Sequence, residues 1–205
     1  MSSLRPLHLC IRPARPADAG FAAEMVQLSM GRLAGYLFQE DPQSILSILR
    51  ELFMRDAGRF SLKITSLAEC EGRLSGALVS CEGARLNRLN MATLPPLLRR
   101  VGLRRAVRMG WRAIRLHGGL EAGRDEYYIS NLGVHPSAQR QGIGSRLLAF
   151  AEQAARGLRL TKCSLIVGLN NLDAFRLYER LGYRVIETVR DRDESLGYHR
   201  MLKVI

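Results

Sequence analysis

The chain predicts an α/β (α+β) fold, a mixed sheet with helices on its faces, and three observations carry that expectation. Hydrophobic residues make up 47% of the 205 residues and charged residues 24%, the balance of an ordinary globular protein. About seven strand-like runs alternate with helix-like runs, an order that builds a mixed sheet. Gly and Pro are scattered, and no stretch is Ser-, Gln- or Pro-rich enough to act as a linker, so a single domain is expected to cover residues 1–205.

Taken in order, Leu7 to Pro13 alternates as a first strand, and Pro13 and Pro16 close it before a helical pattern from Ala17 to about Leu37. Asp41-Pro42 opens a second helix, with Asp as N-cap and Pro in the first helical position, running to about Arg55. Phe60 to Leu67 and Leu74 to Ser80 read as a hairpin joined through Cys70-Glu71-Gly72-Arg73. From Pro95-Pro96 to His117 the pattern is helical again, and Gly118-Gly119 ends it. Tyr127 to Val134 is a buried strand stopped by Pro136. A glycine turn at Gly142 to Gly144, a helix to about Arg156, a strand from Cys163 to Val167 and a helix from Asn171 to Leu181, stopped by Gly182, follow. Strands Tyr183 to Val189 and Tyr198 to Val204 finish the chain.

Composition narrows the function classes. The formal charge of +12 favours anionic ligands or surfaces without choosing among them. Cys10, Cys70, Cys81 and Cys163 are widely separated and lack His neighbours at ligand spacing, so reduced, mostly buried thiols are expected and no metal site. No apolar run approaches a membrane span, and the first residues lack the pattern of a secretory signal; a cytoplasmic protein is the expectation.

The most informative stretch is Tyr128 to Leu148, in which a strand feeds a short loop and then Q-x-x-G-x-G at Gln139, Gly142 and Gly144. Glycines let the backbone approach a ligand closely, the first amides of a helix point outward, and the helix dipole adds positive potential, so a diphosphate can be cradled there. Arg140 adds a full charge beside it. The spacing is not G-x-G-x-x-G, no acidic residue ends the following strand, and a Walker lysine is missing, so dinucleotide and nucleoside triphosphate sites fit poorly. A glycine turn at a helix start can also serve only to turn a corner.

The order strand, V-x-P, Q-x-x-G-x-G-x-x-L-L resembles the cofactor motif of the GNAT superfamily of acyl-CoA-dependent N-acetyltransferases. A second segment, Asn171 to Tyr183, is similar to that family's downstream N-x-x-A-x-x-L-Y-E-x-x-G-[FY] motif. Together the two cover roughly residues 126–189, the expected cofactor core. The resemblance implies a GNAT-like, mostly antiparallel sheet whose fourth and fifth strands splay apart to admit the pantetheine arm of acetyl-CoA as a co-substrate. It also implies that backbone groups of Leu132, Gly133 and Val134 bind pantetheine, and that the amides of Gln139, Arg140, Gln141, Gly142, Ile143, Gly144 and Ser145 hold the diphosphate.

Tyr178 matches the family's acid position and would protonate the leaving thiolate, a phenol being protonated at neutral pH. It also fits a helix tyrosine packing on the sheet. Asn171 either contacts the cofactor arm or, like Asn170, caps the helix. The general base departs from the family pattern: Ile166 and Tyr128 stand where other branches carry Glu. Glu126, two residues before Tyr128 and so on the same strand face, is the base candidate; a water chain or an amine already neutral at its site serves equally. His135 lies near the loop entrance, and His199 and the other two histidines read as surface or edge residues.

In the helical insertion at about residues 95–118, Arg100, Arg104, Arg105, Arg108, Arg112 and Arg115 fall within an arc of about 140°, and Leu103, Val107 and Ile114 face the other way. A solvated basic face with an apolar side on the core is the plain reading; an anionic membrane surface or an acidic substrate is the functional one. Nucleic acid is disfavoured for want of interleaved aromatics. The leading function is acetyl transfer to a primary amine of a small molecule or protein, with room for a homodimer. A non-catalytic acyl-CoA-binding module and an RNA- or membrane-associating factor are the other readings.

Overall fold

The computed structural model describes residues 9–56, 58–116, 121–191, 193 and 196–205. Seven strands form one sheet: β1 (Leu9–Pro13), β2 (Thr65–Cys70), β3 (Arg73–Glu82), β4 (Tyr127–Val134), β5 (Lys162–Gly168), β6 (Arg184–Val189) and β7 (Tyr198–Val204). Their spatial order is β1-β2-β3-β4-β5-β7-β6, and every neighbouring pair is antiparallel except β4–β5. The mixed, mostly antiparallel sheet with flanking helices is as expected. Leu7 and His8, given above to the first strand or the surface, lie outside the described residues, as do His117 and the stop at Gly118-Gly119.

Helices cover both faces. On one, α6 (Ile143–Gly157) and α7 (Leu172–Arg180) share a core with the sheet that includes Leu78, Ile129, Leu147, Leu148, Leu165 and Met201. On the other, α1 (Ala19–Met30), α2 (Arg32–Phe38) and α3 (Pro42–Met54) build a second core with Val79. The start of α3 follows from its sequence: Asp41 Oδ1 accepts from the amides of Gln43 at 3.0 Å and Ser44 at 3.1 Å, and Pro42 needs no amide partner there. Ile45, Ile48, Leu49, Leu52 and Phe53 then fall on one buried stripe. Of the four thiols, Cys10 is exposed and the other three are buried.

Four elements differ from the sequence expectation. The first helix is broken at Gly31, whose φ of 52° and ψ of −130° stop α1; the turn lets Ala34 and Phe38 of α2 pack into the α3 core. Residues 60–64 form 3-10 turns rather than strand, because Ser61 accepts from the Lys63 amide and Thr65 Oγ1 donates to the Ser61 carbonyl, local bonds that compete with a ladder. The insertion begins at Gly83, not Pro95, as α4 (Gly83–Val101), and Gly102 (φ 79°) separates it from α5 (Leu103–Leu116), leaving Arg100 on α4. Pro95 and Pro96 sit inside α4 because the residues one turn earlier, Met91 and Ala92, are exposed, so water can reach the carbonyls that lose a donor. Finally, the apolar side of α5 does not pack on the core. Ala106 and Met109 are buried, while Leu103, Val107 and Ile114 face solvent.

Candidate functional site: a parted strand pair leading to a helix N-terminus

The parallel ladder between β4 and β5 has three rungs, Tyr127 with Cys163, Tyr128 with Ser164 and Ile129 with Leu165. Beyond them the strands part, although each continues: β4 stays paired with β3 as far as Val134 opposite Gly76, and β5 with β7 as far as Gly168 opposite Tyr198. A bulge explains where they separate. Val79 faces Asn131 and Ser80 faces Ile129, so Ser130 is the extra residue, and such an insertion bends and twists its strand. The β5-facing edge of β4 from Ser130 to Val134 therefore has no ladder partner among the described residues, apart from the Val134 carbonyl, which accepts from Gln139 Nε2 at 3.2 Å. Gly133 is fixed by the opposite layer: a Cβ there would collide with the Met25 carbonyl of α1.

From Val134 the chain passes through a short 3-10 turn, Pro136–Ala138, in which His135 Nδ1 lies 2.8 Å from Ser137 Oγ. Arg140 (φ 63°) and Gly142 (φ 80°) are both left-handed, which swings the backbone sharply into α6. No side chain caps this helix, and the first inward bond at its start runs from the Arg146 amide to the Gly142 carbonyl at 3.1 Å. The amides of Ile143, Gly144 and Ser145 precede it and form the positive end of a 15-residue dipole, a ready anion site.

On the α1 side of the opening runs a chain of polar contacts. Arg59 makes a forked pair with Glu121, at 2.8 and 2.7 Å, and also donates to Ser130 Oγ at 3.1 Å. The Tyr128 hydroxyl donates to Glu121 at 3.0 Å. Ser130 donates to Asn131 Oδ1, and Asn131 Nδ2 to Ser29 of α1 at 3.0 Å. Burial works against the charge of Arg59, but the Glu121 carboxylate outweighs it and raises the pKa of the guanidinium. Burial, then the charge of Glu121, holds the Tyr128 phenol well above its ordinary range. Cys81 is pushed up to about 11 by burial, an inert thiol.

Residues 98–183 match the model of the acetyltransferase (GNAT) family. That stretch, less than half of the chain, is similar to the GNAT family. Its sequence is 39% identical over 69 residues to GCN5-related N-acetyltransferase 6, chloroplastic, of Arabidopsis thaliana, a stretch covering 33% of this chain and 24% of that protein. Two further curated relatives are spanned over only 53% and 21% of their lengths. The fold is that of solved acetyltransferases: an N-acetyltransferase from Staphylococcus aureus Mu50 aligns with a TM-score of 0.68 at 20% identity, covering 94% of this chain and 99% of that one. PaiA N-acetyltransferase of Thermoplasma acidophilum, solved in complex with coenzyme A, aligns with a TM-score of 0.52 at 16% identity over 96% and 99% of the two chains.

Within this GNAT fold the residues singled out from sequence are not equivalent. Tyr178 is buried on α7 with its ring 6.0 Å from that of Tyr183, and burial pushes its phenol up to about 12. Asn171 caps α7, its Oδ1 accepting from the Ala174 amide at 3.2 Å. A Cβ at Gly144 would lie 3.3 Å from Leu177 Cδ2 of α7, a tight contact that the leucine would have to relieve by a few tenths of an ångström. Glu126 is almost fully buried; both of its oxygens lie 2.6 Å from Arg200 Nη2 of β7, and Oε2 accepts from the Gly123 amide. Burial would raise its pKa, but hydrogen bonds and the Arg200 charge win and lower it. It also precedes the zipped end of the strand pair, about 13 Å along the strand from the Ser130 bulge at ~3.3 Å per residue. Arg59, Glu121, Ser130 and Asn131 were not legible as site residues. Arg59 and Glu121 are 62 positions apart and sit outside both motifs, so no local spacing marks them. No group of His, Cys, Asp and Glu suited to a metal ion occurs among the described residues.

Proposed function

We propose that this chain is an N-acetyltransferase moving an acetyl group from acetyl-CoA to a primary amine of a small molecule or protein by direct attack in a ternary complex. One observation carries the reading: β4 leaves β5 after Ile129 and leads, through the 3-10 turn at Pro136–Ala138 and the left-handed turn at Arg140 and Gly142, to an uncapped helix N-terminus. The unladdered edge of β4 offers main-chain groups to the amides of a pantetheine arm, and the start of α6 offers amides to a diphosphate, with Arg140 alongside. Residues and ligand chemistry therefore fit.

The chemistry is attack of a neutral amine on the thioester carbonyl with departure of the thiolate. The backbone of Leu132, Gly133 and Val134 would orient the arm and polarise the carbonyl, and the amides from Gln139 to Ser145 would grip the diphosphate. Tyr178 keeps its proton at neutral pH, since burial raises its pKa to about 12, and would deliver it to the departing sulfur. Glu126 works as the anchor of Arg200 rather than as base, because an ion-paired carboxylate with a lowered pKa is a weak proton acceptor. Glu121 is engaged in a forked ion pair with Arg59, and the amine proton would leave through water.

Those two clamped carboxylates also favour a second reading, an acyl-CoA-binding module without turnover. Calorimetry with acetyl-CoA, followed by steady-state CoA release with a panel of amines, separates the two. Binding with amine-dependent release is expected; binding with no release for any amine would favour the module, and no binding would end both.

A further inference from the structure

The α5 helix presents a surface to which the proposed acyl transfer assigns no role. It contains five arginines and no acidic residue. Its inner side is pinned to the body of the protein by buried Ala106 and Met109, by an ion pair of Arg105 with Glu40 at 2.7 Å, and by Arg112 standing 5.9 Å over the Tyr36 ring. Its outer side carries Leu103 (68% exposed), Val107 (60%), Trp111 (64%) and Ile114 (75%). At 100° per residue these four span about 80° and form a continuous stripe. Arg104, Arg115 and Arg108 fall in the next 60° or so, directly beside it. Arg104 and Arg108 have no acidic partner among the described residues, and Arg115 lies 5.6 Å over the Trp111 ring.

We propose that this face docks the protein on an anionic lipid bilayer, with α5 lying in the plane of the interface. The stripe would enter the boundary between headgroups and acyl chains, and the neighbouring arginines would reach lipid phosphates, the arrangement in which aliphatic and indole side chains and cations are satisfied together. Charge decides against a second copy of the chain as occupant, since two such faces would bring their arginines together in a molecule already carrying +12. The aliphatic stripe decides against RNA, because Leu103, Val107 and Ile114 offer a phosphate backbone nothing, and only one aromatic could stack. The inference is independent of acyl transfer.

Trp111 is the only tryptophan in the chain, so its emission reports on α5 alone. The full chain would be titrated with phosphatidylcholine vesicles, pure or containing roughly one-third phosphatidylglycerol, the anionic lipid supplying the surface potential. A blue shift and co-sedimentation are expected with the anionic vesicles only, weakening as salt is raised. Replacing Arg104 and Arg108 by Gln should weaken partitioning roughly 25-fold, at about fivefold per cation near the surface. The pair Leu103→Ser and Ile114→Ser should remove the shift. Circular dichroism confirms that each variant is folded, which exposed positions make the expected result. An unmoved spectrum with anionic vesicles would overturn the proposal. So would an equal shift with polyuridylate, or one that grows with protein concentration in the absence of lipid.

Discussion

Replacing Glu126 by Gln separates an anchoring carboxylate from a catalytic one. The side chains of Glu126 and Arg200 are 7% and 12% exposed, and the exchange keeps the shape and one acceptor oxygen but removes the countercharge, leaving the guanidinium with neutral acceptors only, the new amide and the Glu121 carbonyl at 3.2 Å. Breaking a buried pair from one side costs about 3 kcal/mol or somewhat more, because the other charge stays buried and uncompensated. For a chain of this size, with about 2 to 4 °C per kcal/mol, the melting temperature should fall by roughly 6 to 12 °C. The double variant Glu126→Gln with Arg200→Met should recover much of that loss, since no charge is then stranded. The pH dependence has a definite sign. A carboxylate whose folded pKa lies below the ordinary 4.5 stabilises the protein above that value, and the contribution disappears as pH falls through the folded pKa. Scanning calorimetry from neutral to acidic pH should therefore show wild type and variant converging at the acid end. The pH profile of kcat/KM should keep its acidic limb in the variant. A melting temperature within a degree or two of wild type, together with loss of that limb, would refute the anchoring argument and make Glu126 the base.

Other expectations follow from the same geometry. Tyr178→Phe should lower kcat by about 10²-fold or more if the phenol donates a proton, with KM for acetyl-CoA and the melting temperature little changed; an unaltered kcat across pH would dismiss the donor. Gly133→Ala drives a methyl into the Met25 carbonyl and should cost about 1 to 3 kcal/mol by forcing α1 away from β4, measured by denaturant unfolding. Gly142→Val places a branched side chain at φ 80°, a strain of about 1 to 2 kcal/mol, and should weaken acetyl-CoA binding about tenfold by calorimetry with a smaller effect on fold.

Both motifs were legible because their demands are local. The left-handed turn at Gly142 and the caps at Asp41 and Asn171 arise from residues within a few positions of one another, and an apolar stripe at helical period is visible without a fold. The same locality misled at Gly31 and Gly102, where helical patterns run on through residues whose backbones turn, and at Pro95-Pro96, where a helix survives proline because water reaches the carbonyls. Gly144 shows a subtler limit: the motif marks a glycine, but its closeness to Leu177 of α7, 33 positions away, is visible only in the fold.

By itself the sequence determined the strand, turn and helix around residues 127–157, the amphipathic character of α5 and the burial of the main helical stripes, since periodicity and the φ demands of single residues act over one or two turns. Tertiary structure alone decided that β4 and β5 part after Ile129, that Glu126 answers Arg200 across 74 positions, and that the apolar side of α5 faces out. Those outcomes depend on which distant surfaces meet. A bulge that turns one strand parts it from its neighbour, and an arginine arriving from β7, two strands across the sheet, changes the chemistry of a carboxylate without altering any residue near it in sequence.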